Sequence, residues 1–203
     1  MVAIIDYDAG NIKSVEKAMQ ALGESVRITR EPEEILFADH VILPGVGAFG
    51  DAMNKIHQYH LAEVIREVVD RGTPFLGICL GLQLLFESSE ESEGIDGLGI
   101  LQGKIVRLPE TQGLKIPHIG WNSLNYPNKG RLFEGISEEA YVYFVHSYYL
   151  QAEDAQIVTA TTEYAAHIHA SVEEGNVFAC QFHPEKSSDV GMTILKNFLN
   201  ISK

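Results

Sequence analysis

One stretch constrains this chain more than any other: Thr73-Pro74-Phe75-Leu76-Gly77-Ile78-Cys79-Leu80-Gly81-Leu82-Gln83-Leu84-Leu85-Phe86. A Gly-Thr-Pro turn leads into a short apolar run with the character of a buried strand. The run passes through Gly77-Ile78-Cys79-Leu80-Gly81 and becomes helix-forming. A G-x-C-x-G at a strand-to-helix junction is the thiol form of a nucleophile elbow. The glycines let the backbone turn sharply and leave room around the sulfur. A helix starting there aims free N–H groups at Cys79 and favours its thiolate form. The plainer reading is a buried structural cysteine between packing glycines. The completeness of the elbow pattern favours the nucleophile.

The segments around the elbow alternate in character. Val2-Ala3-Ile4-Ile5 reads as a central strand covered on both faces. Ile12, Val15, Met19 and Leu22 recur at helical spacing, and Gly23 supplies a helix stop. Ser25–Thr29 reads as a strand, and so does His40-Val41-Ile42-Leu43. Residues 51–71 are helical in character, with a break near Tyr59-His60. This alternation predicts an α/β fold: a mostly parallel central sheet with helices on both faces. The second half reads differently. Strands are expected over residues 103–108, 121–126, 141–150, 157–162, 165–172 and 176–182. The turn Glu173-Glu174-Gly175-Asn176 joins the last two. Short connections there predict an antiparallel extension of the sheet. An amphipathic helix over residues 189–199 closes the chain, with Val190, Ile194, Leu195 and Phe198 inward.

The length of 203 residues, 45% of them hydrophobic, suits one domain spanning 1–203. Two cysteines and no C-x-x-C point to a reducing, cytoplasmic setting. The N-terminus lacks the basic region of a signal peptide. No apolar run approaches the roughly 18 residues that a membrane helix needs. A formal net charge of −13 argues against sequence-independent nucleic-acid binding. Membrane and nucleic-acid partners are therefore not expected.

A cysteine nucleophile needs a base, and a base works best when a third group orients it. Of the eight histidines, His183 ends the strand-like run Val177-Phe178-Ala179-Cys180-Gln181-Phe182 and is followed by Pro184 and Glu185. Proline biases His183 toward an extended backbone, in which residues i and i+2 face the same side. Glu185 is thereby placed beside the imidazole. Alone, His-Pro-Glu reads more simply as a surface turn; with the elbow it reads as base and orienting acid. An oxyanion hole is also required. The elbow supplies the Leu80 N–H, and a second donor is expected from Gly45-Val46-Gly47, which leaves a buried strand at the same sheet edge. Gln83, one turn after Cys79, can present an amide beside the thiol. His57/His60 and His167/His169 lack further ligands and read as surface pairs. Cys180 reads as core, and no nucleotide P-loop is present. No metal and no cofactor are called for.

Together, Gly77-Ile78-Cys79-Leu80-Gly81-Leu82-Gln83 and His183-Pro184-Glu185 resemble the class I, triad-type glutamine amidotransferases, over most of the chain. Four further segments resemble the glutaminase subunits of imidazole glycerol phosphate synthases. They are Asp6-Tyr7-Asp8-Ala9-Gly10-Asn11, Pro44-Gly45-Val46-Gly47-Ala48-Phe49, Pro117-His118-Ile119-Gly120-Trp121-Asn122 and His146-Ser147-Tyr148. Asp8 departs from the glycine more usual at its position.

The resemblance implies that Cys79 attacks the glutamine side-chain amide, that His183 shuttles protons and that Glu185 orients it. It implies an oxyanion hole from Gly45, Val46, Gly47 and Leu80, and glutamine binding by Gln83, Glu91, Ser147 and Tyr148. It also implies a separate partner, a (β/α)8 barrel cyclase subunit of imidazole glycerol phosphate synthase, joined as a heterodimer. Asn11, Pro117, His118, Gly120, Trp121, Asn122, Tyr143 and Lys186 would lie on the partner side, and the glutaminase would be nearly idle until the partner binds its own substrate. Two alternatives stay open: the glutaminase of another ammonia-using synthase, or a non-catalytic binding protein of the same fold.

Overall fold

The computed structural model describes residues 1–202. The first half lays down β1 (Val2–Ile5), α1 (Ile12–Ala21), β2 (Val26–Thr29), α2 (Pro32–Leu36), β3 (His40–Leu43), α3 (Phe49–Gln58), α4 (Leu61–Asp70), β4 (Phe75–Ile78) and α5 (Leu80–Leu84). The second half adds β5 (Ser88–Ser89), β6 (Gly103–Arg107), β7 (His118–Ser123), β8 (Tyr141–His146), β9 (Tyr148–Ala152), β10 (Val158–Tyr164), β11 (Ala166–Glu174), β12 (Val177–Cys180) and α6 (Ser188–Leu199).

The main sheet runs β2-β1-β3-β4-β12-β11-β9-β6-β5, with β10 paired to β11. From β2 to β12 every pairing is parallel; beyond β12 it turns antiparallel, until the short β5 pairs β6 in parallel. The fold is therefore the expected α/β sheet with an antiparallel extension. Alternate strand residues feed two cores. Ala3, Ile5, Leu43, Phe75 and Ala179 pack with α3 and α4 on one face. Ile4, Ile42, Leu76, Ile78 and Phe178 pack with α1 and α6 on the other. Because both faces are buried, the central strands are continuously apolar.

Local chemistry accounts for the helix ends. Gly23, at φ +87°, stops α1. His60 takes a left-handed backbone and separates α3 from α4. The short helix α2, opened by Pro32, is not visible as periodicity in the sequence, since only Ile35 is buried.

The second half needs one correction. The continuous strand expected over residues 141–150 is two strands in different sheets. β8 pairs β7 in a separate two-stranded sheet, and β9 joins the main sheet after a break at Ser147. Apart from His146-Ser147, where the change of sheet falls, the residues are apolar or aromatic and strand-forming on both sides, and two polar residues alone do not say that the strand changes sheet. The β7–β8 ribbon begins earlier than expected, at His118, and carries Ile119, Trp121 and Tyr141 outward, at 60%, 50% and 57% exposure.

Candidate active site

Four parallel strands, β1, β3, β4 and β12, end at one edge of the sheet, and each delivers residues to the same place. At the end of β4, Cys79 has φ 56° and ψ −108°, a region costly for a residue with a side chain. The surroundings enforce it. The Cys79 N–H donates to the Cys180 carbonyl at 2.7 Å. A Cβ on Gly77 would sit 2.7 Å from the Gly81 carbonyl oxygen, and one on Gly81 would overlap the Leu43 carbonyl. Only glycine lets the elbow press this close to β3 and to itself. The apex sulfur is almost fully buried.

The end of β12 brings His183. Its Nδ1 lies 2.8 Å from Glu185 Oε1, and both side chains are buried. The chain leaves the extended form at Pro184 and enters a single 3-10 turn, Pro184–Lys186. The contact is therefore made by a turn, not by the strand alternation expected from the sequence. Since Nδ1 faces the carboxylate, it carries the proton, leaving Nε2 free. Nε2 is buried without a hydrogen-bond partner among the described residues. Burial alone would push the imidazole's pKa down; the Cys79 sulfur and the Glu185 carboxylate outweigh it and raise it to about 9. This ring is built to hold a proton.

The ends of β1 and β3 supply the loops. Tyr7 Oη donates to the Pro44 carbonyl at 2.7 Å, and a Cβ on Gly45 would overlap that hydroxyl and Leu80 Cβ. The base of the Gly45-Val46-Gly47 loop is thus clamped, while Val46 is partly exposed and Gly47 sits at φ +106°. The expected donor set is not assembled in this arrangement. The Leu80 N–H is spent on the Gly45 carbonyl at 3.3 Å. Asp8, after β1, adopts φ 69°, a left-handed backbone that glycine takes at lower cost. Its carboxylate is held by Arg30, Tyr59 and Lys55.

A cleft of about 290 Å³ opens onto the sulfur, lined by Val46, Gly47, Gln83, Glu91, Ser147 and Tyr148 among others. Gln83 Nε2 donates to the Tyr148 carbonyl and to Gln181 Oε1. Glu91 Oε2 accepts the Phe49 N–H at the start of α3, so one of its oxygens already caps that helix. Pro117 also borders the cleft.

The other residues carried over from the resemblance divide. Trp121 is exposed, Tyr143 packs edge-on against it across the ribbon, and Lys186 is exposed directly after His183-Pro184-Glu185. Gly120 takes φ +133°. Asn122, partly exposed, donates to the Glu163 carbonyl. His118 points inward, stacked between Phe144 and Tyr164. Asn11 donates to Glu185 Oε1 at 2.5 Å.

Sequence reasoning missed Gln181 and His146. Gln181 Nε2 lies 3.7 Å from Cys79 Sγ. A buried amide in an apolar strand, two residues before His183, was the available signal. His146 accepts at Nε2 from His118 Nδ1, and its Nδ1 lies 2.9 Å from the Tyr148 carbonyl. Among the described residues, no group of three or more His, Cys, Asp or Glu side chains is placed to hold a metal ion, and no helix is long and apolar enough to cross a membrane.

Residues 3–201 match the family model for class-I glutamine amidotransferases. The chain belongs to that family. It is 53% identical over 197 residues to the imidazole glycerol phosphate synthase subunit HisH of Moorella thermoacetica, covering 97% of this chain and 93% of that one. To the HisH of Bacillus cereus strain G9842 it is 50% identical over 201 residues, covering 99% and 95%. A solved structure titled as a glutamine amidotransferase superposes with a TM-score of 0.75 at 20% identity, covering 97% of this chain and 98% of that one. That likeness speaks for the amidotransferase fold.

Proposed function

We propose that this chain is the glutaminase half of an imidazole glycerol phosphate synthase. It hydrolyses glutamine to glutamate and ammonia and passes the ammonia to a separate cyclase subunit, as a cytoplasmic heterodimer. The carrying observation is the strained, glycine-enforced apex at Cys79 facing an imidazole that Glu185 orients.

The mechanism follows from the residues. Cys79 loses its proton toward His183 Nε2, and the sulfur attacks the side-chain amide carbon. His183 returns the proton to the departing ammonia, leaving a γ-glutamyl thioester. Water then adds as His183 takes its proton, the carbon–sulfur bond breaks and glutamate leaves. Gln83 has both amide hydrogens committed, so its free Oε1 accepts from the substrate's ammonium group.

The oxyanion hole is made on demand. The Gly45 carbonyl and the Val46 N–H belong to one peptide plane. Rotating that plane releases the Leu80 N–H and turns the Val46 N–H toward the developing charge. Two donors then replace none, and the developing oxyanion gains the hydrogen bonds that such chemistry needs. The exposed Ile119, Trp121 and Tyr141 form the apolar surface that a stable partner would cover, next to the Pro117 side of the cleft. The partner is thereby positioned to bias the loop.

The test is glutamate release from glutamine by the purified chain, alone and with a cyclase subunit and its nucleotide ligand. Release that rises on adding the cyclase supports the reading; folded protein that releases none in any mixture defeats it. Cys79→Ser should abolish turnover, and persistent turnover would unseat the nucleophile.

A further inference from the structure

We propose that Gln181 is a further catalytic residue: its side-chain amide donates a hydrogen bond to the Cys79 sulfur and stabilises the thiolate. Gln181 is fully buried, and its Nε2 lies 3.7 Å from Cys79 Sγ, within reach for a donor to sulfur.

The direction of this amide is set by a chain anchored on backbone. The Tyr148 carbonyl can only accept, so the Gln83 group facing it at 3.1 Å is the NH2. The second hydrogen of that NH2 goes to Gln181 at 3.0 Å, so the Gln181 atom there is the oxygen. The remaining end of Gln181, the NH2, must then face Cys79. A flipped amide would set NH2 against NH2 at one end and oxygen against sulfur at the other.

The role is distinct from that of His183. A primary amide neither takes the thiol proton nor gives up its own, so it favours the sulfur anion without competing as base. Bonds from a neutral donor to an anion are stronger than bonds to the neutral form. The ionisable groups that interact with Cys79 are His183, with Glu185 behind it, Tyr7 from the β1 loop and Cys180 from β12. Tyr7 and Cys180 are buried, and burial pushes both toward their neutral forms. Gln181 is the uncharged donor among these neighbours. Gln83 thereby acquires a second role: it holds the amide that holds the sulfur.

The inference rests on the reading of Cys79 as nucleophile, but its test does not need glutamine turnover. Only a thiolate reacts readily with iodoacetamide. Carbamidomethylation of Cys79 is followed by mass spectrometry from pH 6 to 10, with Cys79→Ser as blank and thermal melting as the fold control. Gln181→Met keeps the side chain's length and removes the donor. Its alkylation rate should fall about tenfold near pH 7, as one lost charge-assisted bond implies, and should return to the parent rate near pH 10. Gln181→Glu, which turns an acceptor on the sulfur, should fall further. Parent rates at every pH, or the same fractional loss at pH 7 and pH 10, would overturn the proposal. Should Gln181→Met not fold, Gln83→Met removes the donor that orients Gln181; a smaller loss confined to low pH supports the bond, and an unchanged profile overturns it. If glutamine hydrolysis is absent while these profiles move as stated, the glutaminase reading fails and the bond stands.

Discussion

Asn11 Nδ2 and His183 Nδ1 both donate to a single Glu185 oxygen, Oε1. Asn11 lies just before α1 and Glu185 just before α6, so a bond between segments near the two ends of the chain holds the carboxylate proposed to orient His183. The other oxygen, Oε2, is buried without a partner among the described residues, which leaves Asn11 and His183 as the groups there that fix the carboxylate's rotation. Replacing Asn11 by Ala should lower kcat with little change in KM, because the substrate is not touched. A hydrogen bond to a charged group contributes about 1.5–3 kcal/mol, so the loss should be roughly ten- to a hundredfold. Steady-state glutaminase kinetics check this; a change confined to KM would deny Asn11 that role.

The elbow glycines should tolerate no side chain. In Gly81→Ala the new methyl meets the Leu43 carbonyl, a backbone atom that cannot rotate away. Overpacking typically costs about 1–3 kcal/mol, and the rigidity of β3 puts this case at or above that range. A chemical-denaturation midpoint clearly below the parent's is expected, together with lost activity.

The buried histidines make stability depend on pH in two opposed windows. Burial pushes His118 down to about 4, and burial pushes His146 down to about 3, from an ordinary 6.5. As pH falls below 6.5 the unfolded chain takes protons that the native rings refuse, so their contribution, complete above 6.5, is lost toward 4. Each site adds at most about 1.4 kcal/mol per pH unit to the slope. His183 works the other way. Its native pKa is raised to about 9, so its contribution is complete below 6.5 and is lost as pH rises through 9. Unfolding midpoints in urea between pH 4 and 10 should fall at both ends. His183→Gln should flatten the alkaline limb and His118→Gln the acid limb.

The outward ribbon should matter to assembly and not to folding. Trp121→Ala removes half-exposed surface from β7, so the chain's melting temperature should change little. Binding to a cyclase subunit should weaken by about 2 kcal/mol or more, roughly thirtyfold, as for a buried aromatic anchor. Isothermal titration would read this, and unchanged affinity would remove Trp121 from the contact.

Much of this was legible in the chain itself. Buried parallel strands are covered on both faces, so Val2–Ile5, Phe75–Ile78 and, after its first residue, His40–Leu43 stand out as apolar runs. The elbow was legible because sharp backbone geometry demands glycine at fixed offsets, and the break at His60 because helical periodicity stops there. Where neighbours far along the chain decide the outcome, local pattern was silent. The division of residues 141–150 between two sheets depends on which strand lies alongside: β7 pairs the residues before Ser147 and β6 those after it.

The sequence by itself determined the fold class, the elbow and the choice of a thiol, an imidazole and a carboxylate as the proposed reactive set, because each depends on residue type at short spacing. Only the tertiary structure decided what those groups touch. It spends the Leu80 N–H on Gly45, turns His118 inward, commits both hydrogens of Gln83, aims Gln181 at the sulfur and ties Asn11 to Glu185. A hydrogen bond is satisfied by proximity in space, and no local spacing encodes contacts between residues 65 to 174 positions apart.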